Sequence, residues 1–336
     1  MDIVSKFTPF RRRPTSLVAG GAGFVGSHLV EALLARGERV VIVDDLSTGE
    51  VRNLAWALSS IQTTFVHADV AVPMPALRGL LEDAGISRVD AIYHLASPAS
   101  PEAYGARPWE TLSVNSVGTM SLVELALEHG APMLFASTSE VYGDPLEHPQ
   151  AESYFGNVDP IGRRSCYDEG KRFGEAAMAV ATRSKGLDGR IVRLFNCYGP
   201  RMDAADGRLI PALVDAALRG QRMPIHGTGT QTRSMTYVDD AIELILLVAA
   251  TPQARLQPIN VGNDDERSVL EIARAVAAAA GVPFDVEFGP ARENDPQRRK
   301  PDLTLAHALN WRPSTPLEAG LRQTVSWFKH ERSAFA

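Results

Sequence analysis

From Leu17 to Asn196 the apolar residues alternate between two rhythms. Short unbroken runs at Leu17 to Ala19, Arg39 to Val43, Thr63 to Ala68, Val89 to Ala96, Pro132 to Ala136 and Arg190 to Phe195 have the length and β-branched content of buried strands. Between them lie stretches of helical period: Leu29-Val30 with Leu33-Leu34 before a stop at Gly37, then Ala76 to Gly85, Pro108 to Gly130, and Tyr167 to about Lys185. Runs buried on both faces and joined by helices predict an α/β fold built on a doubly wound parallel sheet. Ligands of such sheets lie at the carboxyl ends of the strands, where this sequence places Asp44, Asp69 and Asn196.

Past Gly199 the rhythm changes. Prolines and glycines become frequent, helices shorten, and arginines recur at Arg201, Arg208, Arg233, Arg298 and Arg299, while strands persist at Met223 to His226 and Pro258 to Val261. The expected organisation is a main sheet domain over 15–198, a smaller substrate-binding lobe over 199–330 whose later strands return to the main sheet, and a loose tail over 1–14. Arginines aimed into the cleft between the two would meet phosphate.

Composition narrows the class. With 336 residues and 45% hydrophobic content the chain can bury a large core, and a formal net charge of −6 gives no general pull toward nucleic acid or membranes. No apolar run approaches the roughly 20 residues of a membrane span, and the N-terminal segment lacks the apolar core of a signal peptide. The only two cysteines, Cys166 and Cys197, cannot build a disulfide framework. The expectation is a cytoplasmic protein without a metal.

The stretch LVAGGAGFVGSH (17–28) joins the first strand to the first helix. Gly20, Gly23 and Gly26 recur every third residue, and Gly21, Gly23 and Gly26 satisfy G-x-G-x-x-G. Glycine there permits a tight turn, close approach of the backbone to a pyrophosphate, and packing of helix on strand; the helix N-terminus adds free N–H groups and a positive dipole end. Asp44, ending the second strand, can accept hydrogen bonds from both hydroxyls of an adenosine ribose and repels a 2′-phosphate, which favours NAD over NADP. Cofactor contacts are expected from Gly20, Gly23, Phe24, Val25 and Gly26, and from Asp44, Asp45, Ser47, Thr48 and Gly49. Further contacts are expected from Asp69 and Val70 beside the adenine, from Leu95, Ala96 and Ser97 beside the nicotinamide half, and from Asn115 and Ala136.

Tyr167 and Lys171 are four residues apart, so both project from one face of a helix. A phenol of ordinary pKa about 10 is too weakly acidic to be a base near neutrality. An ammonium a few ångströms away, together with an oxidised nicotinamide, favours the phenolate and is expected to bring it toward neutrality. Tyr167 would then take a proton from a substrate hydroxyl, and Lys171 would also hold the nicotinamide ribose.

Together the glycine loop, Asp44, Thr138, Tyr167 and Lys171 resemble the extended short-chain dehydrogenase/reductases acting on nucleotide sugars. Within that group GGAGFVGSHL, HLASPASP, ASTSEVYGDPLEHPQ, PIGRRSCYDEGKR, FNCYGPRM, GTQTR and DPQRRKPD resemble the UDP-glucuronate decarboxylases, also called UDP-xylose synthases. The resemblance implies a Rossmann-like doubly wound sheet with a smaller C-terminal lobe, a tightly held NAD, and a homodimer paired through a four-helix bundle. The bundle would use the helices around Leu112 to Leu127 and Tyr167 to Ala181. It also implies oxidation of C4 of UDP-glucuronate, loss of CO₂ from the resulting β-keto acid, protonation of C5 and reduction back to UDP-xylose.

By the same resemblance Tyr167 is the base and Thr138 holds the C4 oxygen; Ser139 and Glu140 are then expected to position C5 and its carboxylate, Glu140 disfavouring that carboxylate by charge repulsion and ordering a water for protonation. Arg299 is expected near the diphosphate and sugar, with a part in protonation or carboxylate binding, and Arg298 is its rival. The UDP-sugar would be held by Pro98, Tyr104, Asn196, Arg208, Arg233 and Arg299, with Ile225 and His226 bracketing the uracil. The chain departs from the family pattern at Ser113 and Cys197. Related 4,6-dehydratases carry Asp-Glu where this chain has Ser139-Glu140. A 4-epimerase or 4,6-dehydratase is the nearest alternative, and a non-catalytic NAD sensor is an alternative of another class.

Overall fold

The computed structural model describes residues 13–291 and 298–334. The tail expected over 1–14, apart from Arg13 and Pro14, and Asp295 to Gln297 of the DPQRRKPD motif lie outside the described residues. Strands β1 (Thr15–Ala19), β2 (Arg39–Asp44), β3 (Thr63–His67), β4 (Ala91–His94), β5 (Met133–Thr138) and β6 (Gly189–Leu194) join Pro258–Val261 in a seven-stranded sheet. Every pairing in it is parallel, and the order across the sheet is Pro258–Val261, β6, β5, β4, β1, β2, β3.

The order reverses between β1 and β4, which opens a crevice at their carboxyl ends. The loops that follow these two strands touch there. Gly20 has φ +81°, and a Cβ on it would lie 2.5 Å from the backbone nitrogen of Ala96, so only glycine fits the contact.

Alternation along the strands builds the two layers above and below the sheet. Val18, Val40 and Ile42 face one core with α1 (Phe24–Ala35) and the helices Leu209–Leu218 and Val238–Ala250; Leu17, Ala19, Val41 and Val43 face the other with Met74–Asp83, Thr119–His129 and Ser165–Ser184. The first core continues without a break into Met223, Val276 and Leu321. At residue 198, therefore, the chain changes path while its packing stays continuous.

Three elements differ from the sequence expectation. Helices do not simply shorten after Gly199: Val238–Ala250 has 13 residues and Leu317–Ala334 has 18. The latter buries Leu317, Leu321, Val325 and Phe328 at helical spacing, a stripe outweighed in the sequence by the prolines around it. β5 runs past Ala136 to Thr138, because Ser137 and Thr138 are buried and pair with β6.

The helix expected over Pro108 to Gly130 contains a π-helical turn, Val114–Gly118, between Pro108–Ser113 and Thr119–His129. Side chains compete for the carbonyls of its ladder: Asn115 Nδ2 donates to Thr111 O (2.9 Å) and Thr119 Oγ1 donates to Asn115 O (2.8 Å).

Candidate active site

The carboxyl ends of β1, β4, β5 and β6 open into a cavity of about 590 Å³, with a smaller one of about 70 Å³ adjoining it beside β2 and β3. Gly20, Gly23, Phe24, Val25 and Gly26 line the larger cavity. A Cβ on Gly26 would run into the Gly20 carbonyl oxygen, so the turn and the start of α1 can approach each other only through glycine. The smaller cavity is lined by Asp44, Asp45, Gly49, Asp69, Val70 and Ala96, while Ser47, Thr48, Leu95 and Ser97 face both.

Asp44 is 7% exposed; its Oδ2 accepts the Ala22 N–H (2.8 Å) and its Oδ1 accepts that of Leu46 (2.9 Å). Burial raises its pKa against those two hydrogen bonds. Each oxygen keeps a lone pair for a further donor.

At the other end of the site β5 delivers Ala136 and Thr138, the turn Ser139–Tyr142 delivers Ser139 and Glu140, and the helix Ser165–Ser184 delivers Tyr167 and Lys171. The Tyr167 phenol hydrogen-bonds with Thr138, and its ring stacks on Tyr104 with centroids 5.2 Å apart. Lys171 Nζ lies 5.9 Å from the centre of the Tyr167 ring and donates to Ala136 O (2.9 Å).

In the protein alone Tyr167 stays above its ordinary value; the expected fall toward neutrality also counts the charge of an oxidised nicotinamide. Burial raises the phenol above its ordinary value, against the Thr138 hydrogen bond, and the same burial drives Lys171 down to about 7. Both groups lose water, which disfavours the charged form of each.

Glu140 is also arranged differently from expectation. Its Oε1 accepts from Arg299 (2.5 Å), its Oε2 accepts from Arg299 (2.9 Å), and Oε2 also pairs with Arg164. Burial alone would raise its pKa; the charges and hydrogen bonds of Arg299 and Arg164 instead hold it at about 2. Two guanidiniums compensate its charge, so simple repulsion of a sugar carboxylate by Glu140 does not describe this geometry.

Alternation on the short strand Arg298–Arg299 separates the two rival arginines. Arg299 is 7% exposed and faces the cleft, whereas the Arg298 side chain is 60% exposed and turns to Glu266 at 3.6 Å.

Tyr104, Asn196, Arg208, His226 and Arg233 line the larger cavity. Tyr104 Oη and Asn196 Oδ1 are buried without a hydrogen-bond partner among the described residues. Arg208 donates to Asp206 (2.6 Å) and lies over the Phe24 ring, and Arg233 donates to Thr232 O (2.8 Å).

Three expected site residues lie elsewhere. Ile225 is fully buried in the core, because the strand Met223–His226 alternates and turns Pro224 and His226 to the cleft. Any contact with a bound base falls to its main chain. Asn115 is fully buried beneath the wall and donates to the Ser97 hydroxyl (2.9 Å). Pro98 faces the smaller cavity, not the sugar end, where the chain turns with Ser97 Oγ donating to Pro98 O (3.0 Å).

The structure adds two features. Arg164 lines the cleft three residues before Tyr167, a spacing that shares a helical face and was the available clue. Beneath Lys171, Glu175 accepts from Arg193 (2.8 and 2.7 Å) and from the Ser137 hydroxyl (2.6 Å), fixing the strand end; its spacing of four from Lys171 was the corresponding clue.

Residues 16–262 match the model of the NAD dependent epimerase/dehydratase family. UDP-glucuronic acid decarboxylase 1 of Arabidopsis thaliana is 45% identical over 321 residues, which is 95% of this chain and 71% of that protein. UDP-glucuronic acid decarboxylase 1 of Xenopus tropicalis is 41% identical over 97% of this chain and 75% of its own. Among solved structures, the UDP-glucose 4-epimerase of Thermotoga maritima with UDP-glucose superposes with a TM-score of 0.83 at 27% identity, covering 95% of this chain and 99% of that one. The dTDP-glucose 4,6-dehydratase of Streptomyces venezuelae with NAD bound superposes with a TM-score of 0.84 at 29% identity, covering 95% and 98%. The chain that carries this glycine turn at the sheet's switch point, the acid ending β2 and the Tyr-x-x-x-Lys pair beside it thus belongs to the NAD dependent epimerase/dehydratase family and, within it, to the UDP-glucuronic acid decarboxylases.

Proposed function

We propose that this chain converts UDP-glucuronate to UDP-xylose and CO₂, with NAD regenerated in each cycle. The observation that carries the reading is Glu140 clasped by Arg299 and Arg164 at the sugar end, next to Tyr167. That places two guanidiniums where a substrate carboxylate would dock. A dehydratase needs an acid where this chain has Ser139, and an epimerase of uncharged sugars has no use for a buried and a half-buried guanidinium at the sugar end.

The site fits NAD. Glycines line the turn where a side chain would fill the space, Asp44 keeps lone pairs for ribose hydroxyls, and Lys171 stands within the cleft. When bound, NAD supplies a two-electron acceptor for the sugar's C4 and later returns the same electrons.

Tyr167 takes the proton of the C4 hydroxyl while Thr138 holds that oxygen. Once C4 is a ketone, the C5 carboxylate is that of a β-keto acid. CO₂ then leaves with the C5–C6 electrons passing into the C4 carbonyl, and Tyr167 and Thr138 hydrogen-bond the enolate oxygen that forms. Ser139, Glu140 and Arg299 orient C5 and its carboxylate, and C5 then receives a proton. Tyr167 returns its proton to the C4 oxygen at the end. Asn196, Arg208 and Arg233 hold the diphosphate, and His226 with Pro224 meets the uracil.

Incubation with UDP-glucuronate should release CO₂ without stoichiometric consumption of added NAD⁺, with UDP-xylose identified by NMR. UDP-galacturonate as the sole product would identify an epimerase instead, and binding without turnover a sensor.

A homodimer in the cytoplasm belongs to the same reading. No described helix is long and apolar enough to cross a membrane, and Cys166 and Cys197 are free thiols. The outward faces of the helices over 108–129 and of Ser165–Ser184 expose Trp109, Met120, Phe173 and Val180, which supports pairing through them.

A further inference from the structure

Asp168 follows Tyr167 directly and has no task in the reaction above. It is 7% exposed, and its Oδ2 stands 4.0 Å from Nε of Arg164. Its Oδ1 is buried with no hydrogen-bond partner among the described residues. An ionised carboxylate with a bare oxygen away from water is costly, and a neutral acid much less so.

The groups facing it come from four elements. Arg164, Tyr167 and Glu169 lie on its own helix or that helix's cap; Glu140 comes from the turn Ser139–Tyr142, Arg299 from the strand Arg298–Arg299, and Tyr104 from the helix Pro101–Ala106. Glu169 is itself turned to Arg172 at 3.6 Å. Among the described residues, with Asp168 ionised, the two acids of the cluster cancel the two guanidiniums. With Asp168 protonated, Glu140, Arg164 and Arg299 together carry one net positive charge, the complement of a single sugar carboxylate.

Resting on the reading of the substrate as an acidic UDP-sugar, we propose that Asp168 is a positioning residue. It takes up a proton as the sugar carboxylate docks, which leaves Arg164 and Arg299 the net charge that holds it, and releases the proton when an uncharged pentose takes its place. Substrate is thereby held more tightly than product, although the two share the same nucleotide. Burial and repulsion by Glu140 raise the Asp168 carboxyl to about 7 against the pull of Arg164 and Arg299, so one additional negative charge suffices to protonate it near neutrality.

The test is calorimetric titration of the NAD-loaded Tyr167→Phe enzyme, in which turnover is blocked, at pH 7 in two buffers of different ionisation enthalpy. UDP-glucuronate should bind with a larger net proton uptake than UDP-glucose does, since burial and Glu140 already hold the Asp168 carboxyl above its ordinary range and a docked carboxylate raises it further. The comparison of two ligands cancels any uptake by Lys171 common to both. Adding Asp168→Asn should abolish the difference. It should also flatten the affinity for UDP-glucuronate above pH 7, where the parent weakens by up to about tenfold per pH unit.

Equal uptake for the two ligands overturns the proposal, as does a difference that survives Asp168→Asn or a variant that weakens both sugars equally at every pH. Should the variant not fold, the two-ligand comparison on the parent decides by itself. Failure of wild-type enzyme to release CO₂ from UDP-glucuronate would overturn the reading of the substrate; CO₂ release with equal proton uptake would overturn the role of Asp168 alone.

Discussion

In the proposed cycle Tyr167 gives up and regains a proton, yet burial favours its protonated form. Its ionisation in the working enzyme therefore depends on positive charge brought close to the ring. Tyr167→Phe keeps the stack on Tyr104 and removes the proton carrier. It should lose roughly 10²–10⁴-fold in turnover, read as CO₂ release, while affinity for the UDP-sugar stays within a few-fold; normal turnover with weakened binding would reduce the residue to a stacking surface. Arg299 is a different test, because it holds Glu140 at about 2 together with Arg164. In wild type Glu140 stays ionised through the whole acid range of an assay and contributes no limb to the pH–rate profile. Arg299→Ala removes the bidentate partner, so the Glu140 carboxyl should climb toward or past its ordinary 4.5 and an acid limb should emerge above pH 4, with overall turnover strongly reduced. An unchanged profile would show that Arg164 alone sets the charge of Glu140. Tyr167 and Lys171 were legible in the sequence because a fixed helical spacing places them together. Arg164 was not, since its partner Glu140 lies 24 positions away and only the fold joins them. Ile225 was misplaced for a simpler reason: a strand of period two turns alternate residues away from the cleft.

The helix Ser165–Ser184 lies close on β5, and Gly174 is where they meet. A Cβ on Gly174 would fall on the Phe135 ring, which is fully buried and sits 4.9 Å below Lys171 Nζ. Gly174→Ala must push the ring or the helix aside. We expect a loss of about 1–3 kcal/mol in chemical denaturation, typical of overpacking, together with reduced turnover as Lys171 shifts. Unaltered stability would mean that the interface yields without strain. The strands of the sheet were legible as elements because they are apolar on both faces, but their ends were not: β4 stops at Ala91–His94 inside the expected 89–96, and β5 runs two residues past Ala136. The π-helical turn was not, because it depends on which carbonyls Asn115 and Thr119 capture once the helix is packed. Leu317–Ala334 was missed because its apolar stripe is interrupted by charged residues on the exposed face, and proline-rich neighbours hid its start.

The exposed apolar residues of the molecule are not scattered evenly. Trp109 (75% exposed), Leu112 (37%), Val117 (39%) and Met120 (44%) follow one another along the helical segment 108–129, and Phe173 (42%) and Val180 (59%) continue the surface on Ser165–Ser184, which packs beside it. The step of five residues from Leu112 to Val117 spans the π-helical turn. That turn's extra residue keeps Val117, in place of position 116, on the same outward stripe. One irregularity thus serves both faces of the helix, holding Asn115 beneath the cleft and the apolar stripe in register outside. A two-fold pairing of these helices would bury both stripes in a four-helix arrangement and would brace the helix that carries Tyr167, Asp168 and Lys171. Met120→Glu with Val180→Glu puts charge at two points of that surface without touching the cleft. The double variant should sediment at the 36.3 kDa of one chain, whereas the proposed pairing requires wild type to sediment at twice that mass. Its turnover should fall as the helix carrying Tyr167 loses its brace, and NAD affinity should fall less, because α1 and Asp44, the expected cofactor contacts on the far side of β1, are left in place while only Lys171 shifts. A double variant that remains a dimer of full activity would place the interface elsewhere and leave the stripe unexplained.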